Sequence, residues 1–334
     1  MVLNTAWAVS PRGFASLFFL TAPSVQTRKI SMAVPAQNFL VGMGFMITAT
    51  VFWSGLDASA KYLVDLRGMP PLLVVWVRLS AGLVTSYFLG ALMDRRWDIW
   101  RVKRPWGQFW RSFCMAGTTV CNFTALGHLP VTTTISIFFA APLIIAALSQ
   151  FVLGERVGRM RWTAILVGFC GIGVIMQPWG DGFSPWMLCS VGAATFFALM
   201  QLSTRQLAGH DSAGSAVFYT TAVGAIALTP VIFFVDGQLV GPGNNAGWAL
   251  LILVGGIFGT GGHVFNVLAM HYAGPVRVAP FFFFSIIWMI IFQTLFFGGN
   301  IDPLTLVGAS IVIASGLFVF WREARASRLE PGRG

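Results

Sequence analysis

Charged residues are scarce in this chain of 334 amino acids. Asp, Glu, Lys and Arg together make up 10% of it, where an ordinary soluble domain carries about 25%. The 11 acidic residues are scattered, so the carboxylate cluster of two-metal chemistry is missing. The four His are dispersed as well, and no HExxH, P-loop or GxSxG run occurs. Cysteine is limited to Cys114, Cys121, Cys170 and Cys189, with no CxxC among them. Neither a disulfide framework nor a metal knuckle is indicated. The expectation is no cofactor, no metal and no enzymatic activity.

What is abundant is apolar surface. Hydrophobic residues make up 56% of the chain and the mean hydropathy is +0.77. A soluble protein of this composition would expose large apolar patches and aggregate. A cytosolic enzyme, a secreted disulfide scaffold and a disordered tail are excluded on that ground. The composition demands lipid as solvent.

A bilayer core of about 30 Å needs roughly 20 apolar residues per helix. Ten stretches qualify: 39–63, 71–93, 107–127, 131–153, 161–177, 184–205, 214–235, 247–271, 276–298 and 303–321. They are continuously apolar, whereas a barrel would show alternating segments of about ten residues. An all-α integral membrane protein with ten transmembrane helices is therefore expected.

The net charge is +10. A nucleic-acid surface would need these charges clustered on one exposed face. Instead they fall in short runs between apolar stretches, which excludes nucleic acid as a partner and suits the positive-inside rule. With both termini cytoplasmic, the inner segments hold 18 of the 21 Lys and Arg, and the outer loops only Arg67. Lys61 and Arg78 lie within or at the rim of spans. The expected location is the bacterial inner membrane, multi-pass. Residues 1–38 stand apart as an N-terminal extension. Its apolar patch, Gly13 to Leu20, is too short to span and lacks a cleavage site. Met32 is an alternative physiological start. Residues 322–334 form a basic cytoplasmic tail.

Sliding the chain by 144 residues brings two halves into register without a gap. Ala49, Phe52, Ser59, Lys61 and Leu63 fall on Ala193, Phe196, Ser203, Arg205 and Leu207. Gly117, Val120, Asn122 and Ala125 fall on Gly261, Val264, Asn266 and Ala269. Phe138, Phe139 and Gly154 fall on Phe282, Phe283 and Gly298. The repeats are expected to be 39–177 and 184–321. Each holds five spans, and an odd number forces the second copy to enter upside down. Inverted-topology repeats are typical of secondary transporters, with the substrate near the midplane between the halves.

The segment Ala141-Pro142-Leu143 through Leu153-Gly154-Glu155-Arg156, then Arg161-Trp162 and Gly168, Gly171 and Gly173, resembles the fourth and fifth helices of an EamA domain. That family lies within the drug/metabolite transporter superfamily, built of two inverted five-helix halves. The run Asp57-Ala58-Ser59-Ala60-Lys61-Tyr62-Leu63, with Arg78 in the second span, resembles the first half of many bacterial members. The second half departs from the pattern, with Gly299 where an acidic residue often follows the glycine that ends the ninth helix. The resemblance implies metabolite transport. Riboflavin-type vitamins and S-adenosylmethionine are the first substrates to consider for uptake, with amino acids after them. Export of amino acids or drugs is the alternative.

A charge deep in a span costs at least about 2.5–3.5 kcal/mol on insertion scales, so each one needs a reason. Asp57 is the clear intramembrane carboxylate. Lys61 lies at i+4 on the same helical face, and Arg78 lies at a similar depth in the second span. The three are expected to form one charged cluster for substrate binding, gating or proton coupling. The bland reading is a structural pair that pins the first two helices, with Lys61 snorkelling.

His263, in the run Gly259-Thr260-Gly261-Gly262-His263, faces either a cavity or a neighbouring helix. Asn122 and Asn266 are interhelical polar glue or, by their symmetric placement, parts of a central site. Gln150, Gln201 and Gln293 read as glue. Trp53, Phe138, Phe139 and Phe281–Phe284 are either core packing or a stacking surface for a flat substrate. Pro142 and Pro280 are expected to kink their helices. Glu155 reads as a structural anchor in an ion-pair network at the inner end of the fourth span.

The leading class is a secondary transporter of a small amphipathic molecule, working by alternating access and driven by an ion gradient or the substrate's own gradient. A channel-like facilitator is the alternative class, separable because a carrier shows saturation and counterflow. The expected partners are a small-molecule substrate and the lipid bilayer, and a homodimer is compatible with this reading.

Overall fold

The computed structural model describes residues 39–152, 158–180, 182–207, 210–232, 254–273, 278–298 and 302–329. Among these residues regular structure is entirely helical. Helix α1 runs Phe39–Leu66 and ends in a π-helical turn, Tyr62–Leu66. Helices α2 (Pro71–Asp94) and α3 (Pro105–Leu126) follow. Each opens on proline, whose missing N–H is no loss in a first turn. Helix α4 (Val131–Val152) is interrupted at Phe139 and Ala140. Helices α5 (Arg159–Met176), α6 (Met187–Leu207) and α7 (Ala213–Ile232) come next. Helix α8 joins a π-helical stretch, Val254–Gly259, to an α-helix, Thr260–Ala273. Helix α9 passes from a 3₁₀ segment, Ala279–Phe284, through Ser285–Phe292 to a π turn, Gln293–Phe297. Helix α10 is Pro303–Leu329.

Seven helices among the described residues are long and apolar enough to cross a membrane: α1, α2, α4, α5, α6, α9 and α10. Helix α3 is more polar, carrying Gln108, Arg111, Thr118, Thr119 and Asn122 on its buried side. Helices α7 and α8 adjoin residues 233–253, outside the described set. The expected extension 1–38 also lies outside it. Most of the expected tail continues α10 as helix to Leu329, and residues 330–334 are not described.

The packing obeys the 144-residue offset. Helix α1 lies along α8, and their repeat mates α6 and α3 lie along each other. The pair α1 and α9 is matched by α6 and α4, and the pair α3 and α7 by α8 and α2. Helices α2 and α7 pack on each other, as do α5 and α10, so each of these pairs maps onto itself. Single residues repeat the rule. A Cβ on Gly117 would lie 2.9 Å from the Phe196 ring, and one on Gly261 would lie 2.7 Å from the Phe52 ring. Those are the same two positions with the halves exchanged. Small residues are used here because van der Waals fit, not water, drives helices together in lipid.

The two fourth helices break at equivalent places. The α-helical pieces restart at Ala141 in α4 and at Ser285 in α9. In α4 the cause is Pro142, which cannot donate to the carbonyl four residues back. In α9 the equivalent residue is Ile286, and Pro280 instead opens the tighter 3₁₀ segment. Both helices are interrupted near the prolines singled out in the sequence, with different local causes. Between the broken helices lies one large buried cluster that includes Leu63, Leu79, Phe123, Phe139, Leu143 and Met289. Val84, Phe88, Leu166, Val167, Leu295 and Phe296 remain exposed and suit a lipid-facing surface.

Candidate functional site

A cavity of about 660 Å³, counting its open mouth, lies between α1, α3, α4, α6, α8 and α9. The broken helices contribute Ile135 and Phe138 from α4 and Phe282, Ser285 and Met289 from α9. The wall is mostly apolar, and its polar members are Ser54, Asp57, Thr118, Thr119, Asn122, His263 and Ser285.

One corner of the cavity is built around Asp57 on α1. Asp57 is 9% exposed and accepts a hydrogen bond of 2.9 Å from Asn122 Nδ2 on α3. Arg78 on α2 sits behind them and donates through Nη1 to Thr119 Oγ1 at 2.6 Å. Its guanidinium also lies 5.6 Å over the Phe123 ring. Asp57 and Arg78 act on each other electrostatically without direct contact, since no ion pair within 4.0 Å joins them. Gly255 on α8 makes room for Arg78, because a Cβ there would come within 2.8 Å of the Arg78 Cα. Arg78 Nε and Asn122 Oδ1 are buried with no hydrogen-bond partner. Such atoms cost about 1–3 kcal/mol each when left unmade.

His263 on α8 lines the same cavity, with its ring 5.5 Å from Trp53 in an edge-on arrangement. Its Nε2 is buried and has no partner. The glycines before it serve packing. Gly261 lies against Phe52 and Gly262 against Trp53, so they admit two rings of α1. Trp53 pairs with Phe282 at 5.9 Å, and their repeat mates Phe197 and Phe138 pair at 5.2 Å. Phe197 and Phe282 stand near parallel at 6.2 Å and link the two pairs. All four line the cavity.

Lys61 is not part of this group. Its Nζ donates to Asp65 Oδ2 at 2.9 Å and to the carbonyls of Leu126 and Leu129 at 3.2 and 3.1 Å. It ties the end of α1 to the turn between α3 and α4, so the expected three-charge cluster resolves into the Asp57–Arg78 corner and a separate tether. Asn266 is half-buried on α8 and does not line the cavity. Gln293 is glue of a specific kind, since its Oε1 accepts the N–H of Val131 at the start of α4, at 3.1 Å. Glu155, expected as an anchor, lies outside the described residues, as does Gly154.

Thr119 and Phe197 went unnoticed in the sequence. Thr119 is the repeat mate of His263, and Phe197 that of Trp53. Applying the offset to the two singled-out residues would have found both. A second polar group lies at the far end of α3. There Gln108 Nε2 donates to Asp211 at 2.9 Å, and Arg111 donates to Thr220 at 2.9 Å and to the Ala216 carbonyl.

A multi-pass helical protein whose packing follows a duplicated unit, with an aromatic and polar cavity in its core, belongs among the membrane transporters. The EamA-like transporter family model matches residues 40–177 and again residues 184–321. The chain belongs to that family, within the drug/metabolite transporter superfamily. From 40 to 184 is the same offset of 144 that relates the helices.

The chain is similar to a riboflavin transporter of Vibrio cholerae serotype O1, 26% identical over 301 residues, covering 87% of this chain and 96% of that protein. It is similar to an S-adenosylmethionine uptake transporter of Rickettsia felis, 26% identical over 295 residues, with coverage of 87% and 96%. A pseudopaline exporter of Pseudomonas aeruginosa is 25% identical over 197 residues, 59% of this chain and 68% of that protein. A protein known by crystal structure shares the fold, with a TM-score of 0.59 at 15% identity over 84% of this chain and 97% of that one.

Proposed function

We propose that the chain is a secondary transporter of the bacterial inner membrane that takes up a small amphipathic metabolite by alternating access. It crosses the membrane ten times, as two inverted five-helix repeats with both termini in the cytoplasm. The distribution of Lys and Arg supports this orientation, with 18 of 21 on the inner side. The exchange-symmetric helix pairs support the inverted repeat. Two similar halves in opposite orientation convert an inward-facing state into an outward-facing one by exchanging conformations. No phosphate-binding loop is present in the sequence, so the drive is an ion gradient or the substrate's own.

The observation that carries this reading is a buried carboxylate and its amide partner at the wall of a cavity between the repeats. Riboflavin and S-adenosylmethionine both combine a flat ring with a polar chain, which suits four aromatic side chains beside one polar corner. Similarity to a pseudopaline exporter keeps export as the second reading.

Expression in a bacterial riboflavin auxotroph lacking its own importer tests the first substrate. Flavin accumulation at low external vitamin, lost in Asp57→Asn with the protein still in the membrane, supports vitamin uptake through this site. Labelled S-adenosylmethionine is the parallel arm. Wild-type accumulation in Asp57→Asn would remove Asp57 from the mechanism. Counterflow without net accumulation would favour a facilitator coupled to nothing, and conduction without saturation a channel.

A further inference from the structure

The corner of the cavity at Asp57 has a one-sided hydrogen-bonding character, and this specifies the ligand further. Asn122 uses its amide N–H on Asp57 Oδ1, the only sensible orientation beside a carboxylate. What this pair has left to offer are acceptors, and His263, elsewhere in the lining, adds a ring nitrogen without a partner. Asn122 Oδ1 has no partner, and among the described residues no donor meets Asp57 Oδ2. Asn122 is 8% exposed, so its free oxygen is held in a dry site. The nearest cation does not reverse this. Arg78 is not among the lining residues and is committed to Thr119 and to the Phe123 face. Beside the acceptors stands a wall of rings, Phe197 and Phe282 near parallel at 6.2 Å with Trp53 next to Phe282. Rings at such separations favour a flat aromatic partner in offset or edge-on contact.

We infer that the cavity binds a planar nitrogen heterocycle by its edge, with ring N–H or amino groups donated to Asp57 and Asn122 and the ring laid along Phe197 and Phe282. This rests on the carrier reading above and deepens it. At that corner a ring edge that carries acceptors alone is rejected, because a buried acceptor facing an acceptor stays unpaired. Isoalloxazine, with an imide N–H, and adenine, with an exocyclic amine, both meet the requirement. Recognition then belongs to the ring and not to the sugar-alcohol or amino-acid tail.

The test uses the full chain purified into lipid nanodiscs, with three flavin probes, riboflavin, lumiflavin (the ring without the tail) and 3-methylriboflavin (the N–H blocked), and with ribitol as the tail alone. Adenosine and N6,N6-dimethyladenosine form the second arm. Riboflavin and lumiflavin should bind within about threefold of each other, and methylation should weaken binding at least about tenfold, the equivalent of one good hydrogen bond. In Asp57→Asn, and independently in Asn122→Ser, the methylation penalty should shrink below about threefold, a coupling that general damage to the fold would not produce.

If the adenosine pair alone shows the penalty, the heterocycle is a purine and the inference stands. Equal affinity for methylated and parent rings in the wild-type chain would overturn the edge assignment while leaving transport intact. If neither flavins nor adenosines bind, the heterocycle inference is wrong. Counterflow of amino acids in proteoliposomes of the same preparation then decides whether the carrier reading survives it.

Discussion

Replacing Lys61 with Met should open the end of the transporter that the proposed orientation places outside. Lys61 is 6% exposed, and all three of its ammonium protons are used, on Asp65 and on the carbonyls of Leu126 and Leu129. The ammonium also lies 5.7 Å over the ring of Phe297 in α9. One cation thus joins α1, the α3–α4 turn and the end of α9. Met keeps the length and the apolar stem and removes the donors.

Asp65 is 45% exposed, so its ion pair contributes only about 0–1 kcal/mol. The two carbonyl bonds are charge-assisted and sit at the negative end of the α3 dipole, at about 1.5 kcal/mol each or somewhat more. The loss is about 3 kcal/mol, or roughly a 150-fold shift if it falls wholly on the balance between closed and open states. The assay is labelling of Ser54→Cys, a cavity position, by a membrane-impermeant maleimide in intact cells. The four native cysteines are replaced beforehand. Labelling should quicken at least about tenfold in Lys61→Met, with Lys61→Arg in between. An unchanged labelling rate at normal membrane abundance would refute the tether's role in closure.

The repeat geometry makes a paired prediction: Gly117→Ala and Gly261→Ala should each lower thermal stability by a similar amount, about 1–3 kcal/mol, because each new Cβ meets a ring. Gly44→Ala, where nothing lies within 4 Å, should be neutral, and a cost there equal to the other two would undo the argument. Asp57→Asn leaves Arg78 buried without its nearby countercharge, so Asp57→Asn with Arg78→Gln should recover about 1–3 kcal/mol relative to the sum of the single changes, read by fluorescence-detected melting. Simple additivity would show that the two charges do not sense each other. Gln293→Leu strands the N–H of Val131 and should destabilise by about 1–3 kcal/mol, whereas Gln150→Leu, on the exposed side of α4, should not. Equal melting of the two variants would deny Gln293 its capping role.

Helix positions were readable because lipid leaves the backbone one way to satisfy its own hydrogen bonds. Hydropathy therefore maps onto helices nearly residue for residue, as in α2, expected at 71–93 and found at Pro71–Asp94. The site was readable in part. Asp57, Asn122 and His263 stood out as polar residues in apolar runs, and each lines the cavity. Lys61 was misgrouped for a definite reason. Its i+4 relation to Asp57 is real, but Lys61 stands in the same relation to Asp65, and spacing cannot choose between them. The acceptors at the end of α3 decide, and they come from residues 65 and 68 positions away in the chain. The break in α9 was harder to see, because its position follows the repeat and not its own proline.

The two halves share a backbone plan and differ in chemistry. Asp57, Arg78 and Thr119 in the first half correspond to Gln201, Ala222 and His263 in the second. Asn122 keeps its identity as Asn266, yet only Asn122 lines the cavity. The aromatic positions are conserved in kind, with Trp53 matched by Phe197 and Phe138 by Phe282. The stacking wall is therefore shared by both repeats, while the charged corner belongs to the first. Under the proposed binding mode, a substrate anchored by its polar edge travels with the first repeat and can slide along rings of the second. Apolar ring faces lack the directional bonds that would resist such a slide, so relative motion of the halves need not break the polar contacts that define the ligand. In the proposed carrier, duplication supplies the two interchangeable conformations, and divergence of three positions supplies a single binding corner for both of them.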